Sequence, residues 1–193
     1  LADTLETLAD QGAEAFYSGP IARAIVRAVA DAPQHPAILT LADIAAYQAK
    51  KRAPVCADYH DYKVCGMGPP SSGGVAVGQI MGLLSHFPLA DHAPNSPEAL
   101  HLIAEAGRLA FADRAAYLGD ADVVPVPTRG LVDPGYLAER AKLIDPDKAN
   151  DGIVDPGVPP GAKEAFLGPD DPEKGLSTAH MSIADRDGNV VSF

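Results

Sequence analysis

Basic charge is what this chain has least of. It carries 15 Lys and Arg against 26 Asp and Glu, a formal net charge of -11, and its cations are scattered without a run. Phosphate backbones are bound by Lys/Arg faces, so no nucleic-acid partner is expected and small or cationic partners fit better. Long apolar stretches are missing too. No segment approaches the roughly 20 apolar residues that a bilayer-crossing helix needs, so no membrane insertion is expected of this segment. The first residues lack the basic and apolar regions of a secretion signal, and no address is read in them. Two cysteines are too few for a disulfide-dense miniature scaffold. The six histidines include no pair at helical ligand spacing, so neither a metal nor another cofactor is expected.

What is present is ordinary globular material. With 193 residues, 47% hydrophobic and 21% charged, the chain is long enough for one domain with its own core. It opens on Leu1 instead of Met and stops at Phe193 inside what reads as a strand, so a piece of a longer protein is expected. Three parts are expected: 1–147, mainly helical with a hairpin near 54–67; 148–177, a Pro/Gly/Asp-rich flexible connection; and 178–193, the first strands of a further portion.

Start and stop residues place the helices. Ser18 and Gly19 precede Pro20, and Ile21, Ile25, Val26 and Val29 recur at helical spacing, which predicts an amphipathic helix over 20–31. Thr40 with Asp43 makes a capping box for a short helix through Tyr47. Ser96, Pro97 and Glu98 open a long helix that ends at Gly119, with Leu100, Ile103, Ala104, Phe111 and Ala115 expected on its apolar side. Asp133 and Pro134 repeat the device before a helix ending near Ile144. Ser71-Ser72-Gly73-Gly74 precedes the apolar run Val75 to Leu84 and lacks the Lys of a phosphate-binding loop. A capping turn, with glycines for close packing, accounts for it better than a phosphate cradle. Asp113 and Arg114 are read as polar helix residues that pair to hold neighbouring segments, without a catalytic role.

A two-residue turn at His60-Asp61 pairs every residue of 54–59 with one of 62–67 such that their numbers sum to 121, which sets Cys56 directly opposite Cys65. Counting outward from the turn makes this a non-hydrogen-bonded pair, the closer kind. A disulfide then suits the geometry in an oxidising compartment, and two half-buried free thiols suit it equally.

After the connection the pattern switches to strand at Thr178, with Ala179, Met181 and Ile183 expected toward a core and Thr178, His180 and Ser182 on the other face. An Asp185-Arg186-Asp187-Gly188 turn leads to a second strand from Asn189. A threonine opening a strand after a loop is usually structural. One chemistry, though, requires that placement. If the Thr178 hydroxyl attacks the Ser177 carbonyl and the ester is hydrolysed, Thr178 gains a free amine. Such an amine has a reference pKa of about 7.7–8.0 and can take the hydroxyl proton near neutrality.

Phe16-Tyr17-Ser18-Gly19, Leu41-Ala42-Asp43, Pro54-Val55-Cys56, Tyr59 to Tyr62, Pro69-Pro70-Ser71-Ser72-Gly73-Gly74, Ala112-Asp113-Arg114, Tyr117-Leu118-Gly119-Asp120 and Asp187-Gly188-Asn189 resemble, in order, the gamma-glutamyltransferase family. The match runs from the downstream half of that family's large subunit into its small subunit. The resemblance implies an α+β fold, part of the αββα architecture of N-terminal nucleophile hydrolases, mostly helical here with a few antiparallel strands. It implies Thr178 as the catalytic nucleophile, autocleavage between Ser177 and Thr178, and His180 as an orienting neighbour. Its implied partners are a gamma-glutamyl donor, an amine or water acceptor, and the remainder of its own chain through pairing of large and small subunits. A cephalosporin-type acylase is similar in sequence and uses the same nucleophile, and a non-catalytic truncated domain is the contrasting expectation. The family commonly has a second Thr where this chain has Ala179, and its substrate-carboxylate arginine and oxyanion donors fall outside Leu1 to Phe193. A periplasmic or extracellular location is what the family suggests.

Overall fold

The computed structural model describes residues 1–33, 36–162 and 181–192. Contacts divide the chain into two compact units, Leu1–Lys51 and Arg52–Phe193, a division that composition does not mark.

The first unit is helical: α1 (Ala2–Gln11), α2 (Glu14–Tyr17), α3 (Gly19–Ala30) and α4 (Leu41–Ala46). Neither α1 nor α2 has a legible start, because Leu1 and Ala13 at their N-caps offer no side-chain acceptor. Helix α3 falls within one residue of its predicted bounds and half-buries Ile21, Ile25, Val26 and Val29 around the fully buried Ala22. The α4 capping box forms as expected. Thr40 Oγ1 accepts from the Asp43 amide at 3.1 Å, and Asp43 Oδ2 accepts from the Thr40 amide at 2.8 Å. The Thr40 hydroxyl also donates to Asp43 Oδ2 at 2.6 Å, and this bond foremost, then that from the Thr40 amide, holds the Asp43 carboxyl below its ordinary pKa. Tyr17 and Tyr47 stack with ring centroids 6.0 Å apart.

The second unit begins with a hairpin, β1 (Val55–Tyr59) and β2 (Tyr62–Gly66), in the register expected from the turn, Tyr59 opposite Tyr62 and Cys56 opposite Cys65. The chain then forms α5 (Gly73–Leu84), a 3-10 turn (Leu89–Asp91), α6 (Pro97–Tyr117), α7 (Thr128–Leu131) and α8 (Pro134–Ala141). A separate hairpin, β3 (Ser182–Ala184) and β4 (Val190–Ser192), is antiparallel with Ile183 opposite Val191.

Helix α5 is the centre of this unit, packed against β1, α6 and α8. The core consists of Leu83 and Leu84 of α5, Leu102, Ala106 and Leu109 of α6, and Leu137, Ala141 and Ile144 at α8. Two glycines permit the join of hairpin and helix. A Cβ on Gly66 would stand 2.6 Å from Gly74 Cα, and one on Gly74 would strike the Met67 carbonyl oxygen, so the backbones touch where any side chain would separate them.

Helix α6 starts where its cap predicts, with Ser96 Oγ accepting from the Ala99 amide at 3.2 Å, but it buries a different face. Ala99, Leu102, Glu105, Ala106, Leu109, Ala110, Asp113 and Ala116 are buried, while Leu100, Ile103 and Phe111 are exposed. Alanines let α5 approach closely, and that close packing outweighs the larger apolar area of Phe111 and Ile103. The expected inward face of the last hairpin is likewise corrected, because Met181 and Ile183 are about half exposed.

Candidate functional site

Ser177, Thr178 and His180 lie outside the described residues. The structure describes what flanks them. Downstream, the turn joining β3 to β4 is closed by Asp185. Its Oδ1 accepts from the amides of Asp187 and Asn189, each at 2.9 Å, and its Oδ2 from Asn189 Nδ2 at 2.7 Å. The Asn189 side chain foremost, with these amides, lowers the Asp185 pKa. Asp187-Gly188-Asn189 is thus explained locally: Gly188 takes φ 83°, and the neighbouring amides converge on one carboxylate.

Upstream, residues 148–162 contain neither helix nor strand, yet they are fastened to the helices at several points. Arg108 donates to the carbonyls of Asn150 and Gly152 and pairs with Glu105 at 2.9 Å. Tyr117 donates to the Gly157 carbonyl at 2.6 Å, and Arg140 Nη2 to the Asp155 carbonyl at 3.0 Å. Pro159 is fully buried. An exposed flexible connection was expected from the Asp/Pro/Gly content, but its described part is held by side chains that satisfy its free carbonyls.

The hub of this arrangement is Asp113, 1% exposed. Its Oδ2 accepts from Gln79 Nε2 at 2.8 Å and from the Tyr136 hydroxyl at 2.7 Å. Its Oδ1 accepts from the Gly157 amide at 2.8 Å and from Arg140 Nη2 at 3.2 Å. One carboxylate therefore joins α5, α6, α8 and the 148–162 segment, and its buried charge is paired and hydrogen-bonded, as burial demands. Burial foremost, then the bond to Asp113, pushes the Tyr136 phenol well above its ordinary pKa, and burial raises Tyr117 as well. Gly157 has to be glycine because a Cβ there would collide with the Tyr136 hydroxyl.

Asp113 and Arg114 do hold neighbouring segments, but not by pairing with each other. Arg114 Nε donates to Ser72 Oγ at 3.0 Å, so Ser72 ties α6 to the start of α5. Ser72 stands at the N-cap of α5, within the expected capping turn, but its hydroxyl makes no cap bond. Tyr136 and Arg140 escaped the sequence reading. Their only signal is the four-residue spacing that sets both on one side of α8. Cys56 and Cys65 are joined in a disulfide, Cα to Cα 4.1 Å.

Mostly helical with two small antiparallel sheets, the chain is an α+β protein with part of the N-terminal nucleophile hydrolase architecture. It belongs to the gamma-glutamyltranspeptidase family, whose profile matches residues 1–193. A glutathione hydrolase proenzyme of Escherichia coli (strain K12) is 36% identical over 192 residues, covering 100% of this chain and 31% of that protein. The chain thus spans about a third of the length of such curated relatives. Among solved structures, Helicobacter pylori gamma-glutamyltranspeptidase matches with a TM-score of 0.66 at 36% identity, over 78% of this chain and 42% of that one. A cephalosporin acylase from Bacillus halodurans matches with a TM-score of 0.73 at 27% identity, over 99% of this chain and 31% of that one.

Proposed function

We propose that this chain is part of a gamma-glutamyltransferase or gamma-glutamyl hydrolase that acts on gamma-glutamyl amides such as glutathione through Thr178. The observation that carries the reading is family membership along the whole chain, across the Ser177-Thr178 junction, together with the 36% identity to a relative named as a glutathione hydrolase proenzyme. In the proposed maturation, Thr178 Oγ1 attacks the Ser177 carbonyl carbon, the peptide bond breaks as the acyl group moves to oxygen, and water hydrolyses the ester. Ser177 is left with a carboxylate and Thr178 with an amine. In turnover that amine accepts the Thr178 hydroxyl proton while the oxygen attacks the gamma-carbonyl carbon, giving a gamma-glutamyl ester. The amine passes its proton to the departing amino group, and water or an acceptor amine then resolves the ester. His180 is proposed to orient the nucleophile instead of serving as the base, since the chemistry supplies its own amine.

Mass measurement on the longer protein tests this. It should split into two chains, the second starting at Thr178, and Thr178→Ala should remain single and inactive. A wild-type protein that never splits would favour a non-catalytic scaffold. The 193-residue chain alone is expected neither to split nor to turn over substrate. A second reading, a cephalosporin-type acylase with the same nucleophile, is favoured by the likeness to the Bacillus halodurans acylase. Comparing the cleaved protein on glutathione and on a glutaryl amide separates the two.

A further inference from the structure

Two half-cystines directly opposite each other on a two-stranded hairpin can serve as a staple or as a site of chemistry, and the surroundings of Cys56–Cys65 decide between them. The bond closes a loop that is already closed. A two-residue turn and five registered pairs, Val55–Gly66 through Tyr59–Tyr62, bring the strands together without it. The hairpin is also fixed from behind. Gly78 of α5 comes so close to Ala57 that a Cβ on it would lie 3.3 Å from the Ala57 methyl, and Tyr59 packs on the Leu83 and Leu102 core. Strand alternation places Cys56 on the face opposite Ala57 and Tyr59, so the sulfurs are on the side turned away from α5. Cys65 is exposed and Cys56 half-buried. The bond is therefore open to attack, and its opening removes nothing that the register or the α5 contact depends on.

We propose that Cys56–Cys65 is a thiol-exchange site for low-molecular-weight thiols, with Cys65 as the sulfur attacked. The incoming thiolate attacks Cys65 Sγ, the Cys56–Cys65 bond breaks, and Cys56 leaves as a thiolate that takes a proton from water. The product is a mixed disulfide on Cys65. A second thiolate then attacks the sulfur of the small-molecule half, giving the free disulfide of the small thiol and a protein dithiol, so that two thiols are oxidised as one protein bond is reduced. Alternatively the Cys56 thiolate returns to Cys65 and expels the first thiol, restoring the starting state. Access sets the choice of sulfur, since an attacking thiol reaches an exposed sulfur before a half-buried one.

The test equilibrates the folded chain with 2-mercaptoethanol and its disulfide at graded ratios, followed by acid quench, alkylation and mass measurement. This couple is not a gamma-glutamyl compound, so the result is independent of the proposed activity. The expected result is reversible passage through the oxidised, mixed-disulfide and dithiol masses without denaturant, with the helical circular dichroism unchanged. Cys56→Ser should form the mixed disulfide at Cys65 about tenfold faster than Cys65→Ser forms it at Cys56, as accessibility requires. No exchange until denaturant is added, loss of helical signal on reduction, or equal rates in the two variants would overturn the proposal.

Discussion

Replacing Asp113 by Asn keeps the volume of the hub and removes its charge. The structure indicates how much is lost. On the Oδ2 side the new amide can be accommodated, because the Tyr136 hydroxyl can turn to accept and Gln79 Oε1, which has no hydrogen-bond partner among the described residues, can flip in to accept as well. On the Oδ1 side the carbonyl still accepts from the Gly157 amide. What cannot be recovered is compensation of the Arg140 charge, which is 8% exposed. Breaking a buried pair from one side costs about 3–5 kcal/mol. Arg140 keeps its bonds to the Leu109 and Asp155 carbonyls, so the lower end, about 3 kcal/mol, is expected. For a chain of this size that corresponds to a fall in Tm of about 6–12 °C. The assay is thermal and urea unfolding followed by helical circular dichroism, on Asp113→Asn, Arg140→Met and the double variant. The double variant should be more stable than the sum of the single losses predicts, because removing both charges leaves none uncompensated. A loss under about 1 kcal/mol for Asp113→Asn, or strict additivity, would refute the assignment of Asp113 as the hub.

Two further outcomes follow from the same geometry and a third from the proposed function. The folded-state pKa values of Tyr136 and Tyr117 are raised, so the stability they contribute is fully present below the unfolded value of about 10 and is lost as pH rises through their folded values. Alkaline titration by tyrosinate absorbance should show Tyr136 ionising only as the fold is lost and Tyr117 ionising above the ordinary tyrosine range, and Tyr136→Phe and Tyr117→Phe should each remove its own step. Gly74→Ala should fail to fold or lose well over 2 kcal/mol, because backbone must yield where Met67 and Gly66 approach; unaltered unfolding curves would contradict the close contact. If Thr178 acts through its own amine, kcat/KM of the cleaved protein should fall about tenfold per pH unit below about 7.7, and a flat profile from about pH 6 to 8 would exclude that base.

Local chemistry was legible in the sequence and distant pairing was not. The Thr40 box, the Ser96 cap, the Asp133-Pro134 start and the Cys56–Cys65 register each depend on residues within ten of one another, and each stands where expected. The α6 face was misread because hydrophobicity favours Leu100, Ile103 and Phe111, whereas close packing against α5 selects the alanine side. Asp113 could not be identified as a hub because its partners lie 23 to 44 positions away and include a backbone amide that no side-chain pattern announces. The anchoring of 148–162 was hidden for the same reason, since its carbonyls are held by Arg108, Tyr117 and Arg140 from remote helices. For the candidate site, family resemblance supplied the residues, and Ser177, Thr178 and His180 lie outside the described positions.

The hairpin's two fixed points also act as a check on its assembly. Slide one strand past the other by a single position and every side chain changes sides: Asp58 would be driven against α5 and the sulfurs would look away from each other across the ribbon. Oxidation can then seal only the aligned pairing, so every sealed molecule is one whose strands have met correctly.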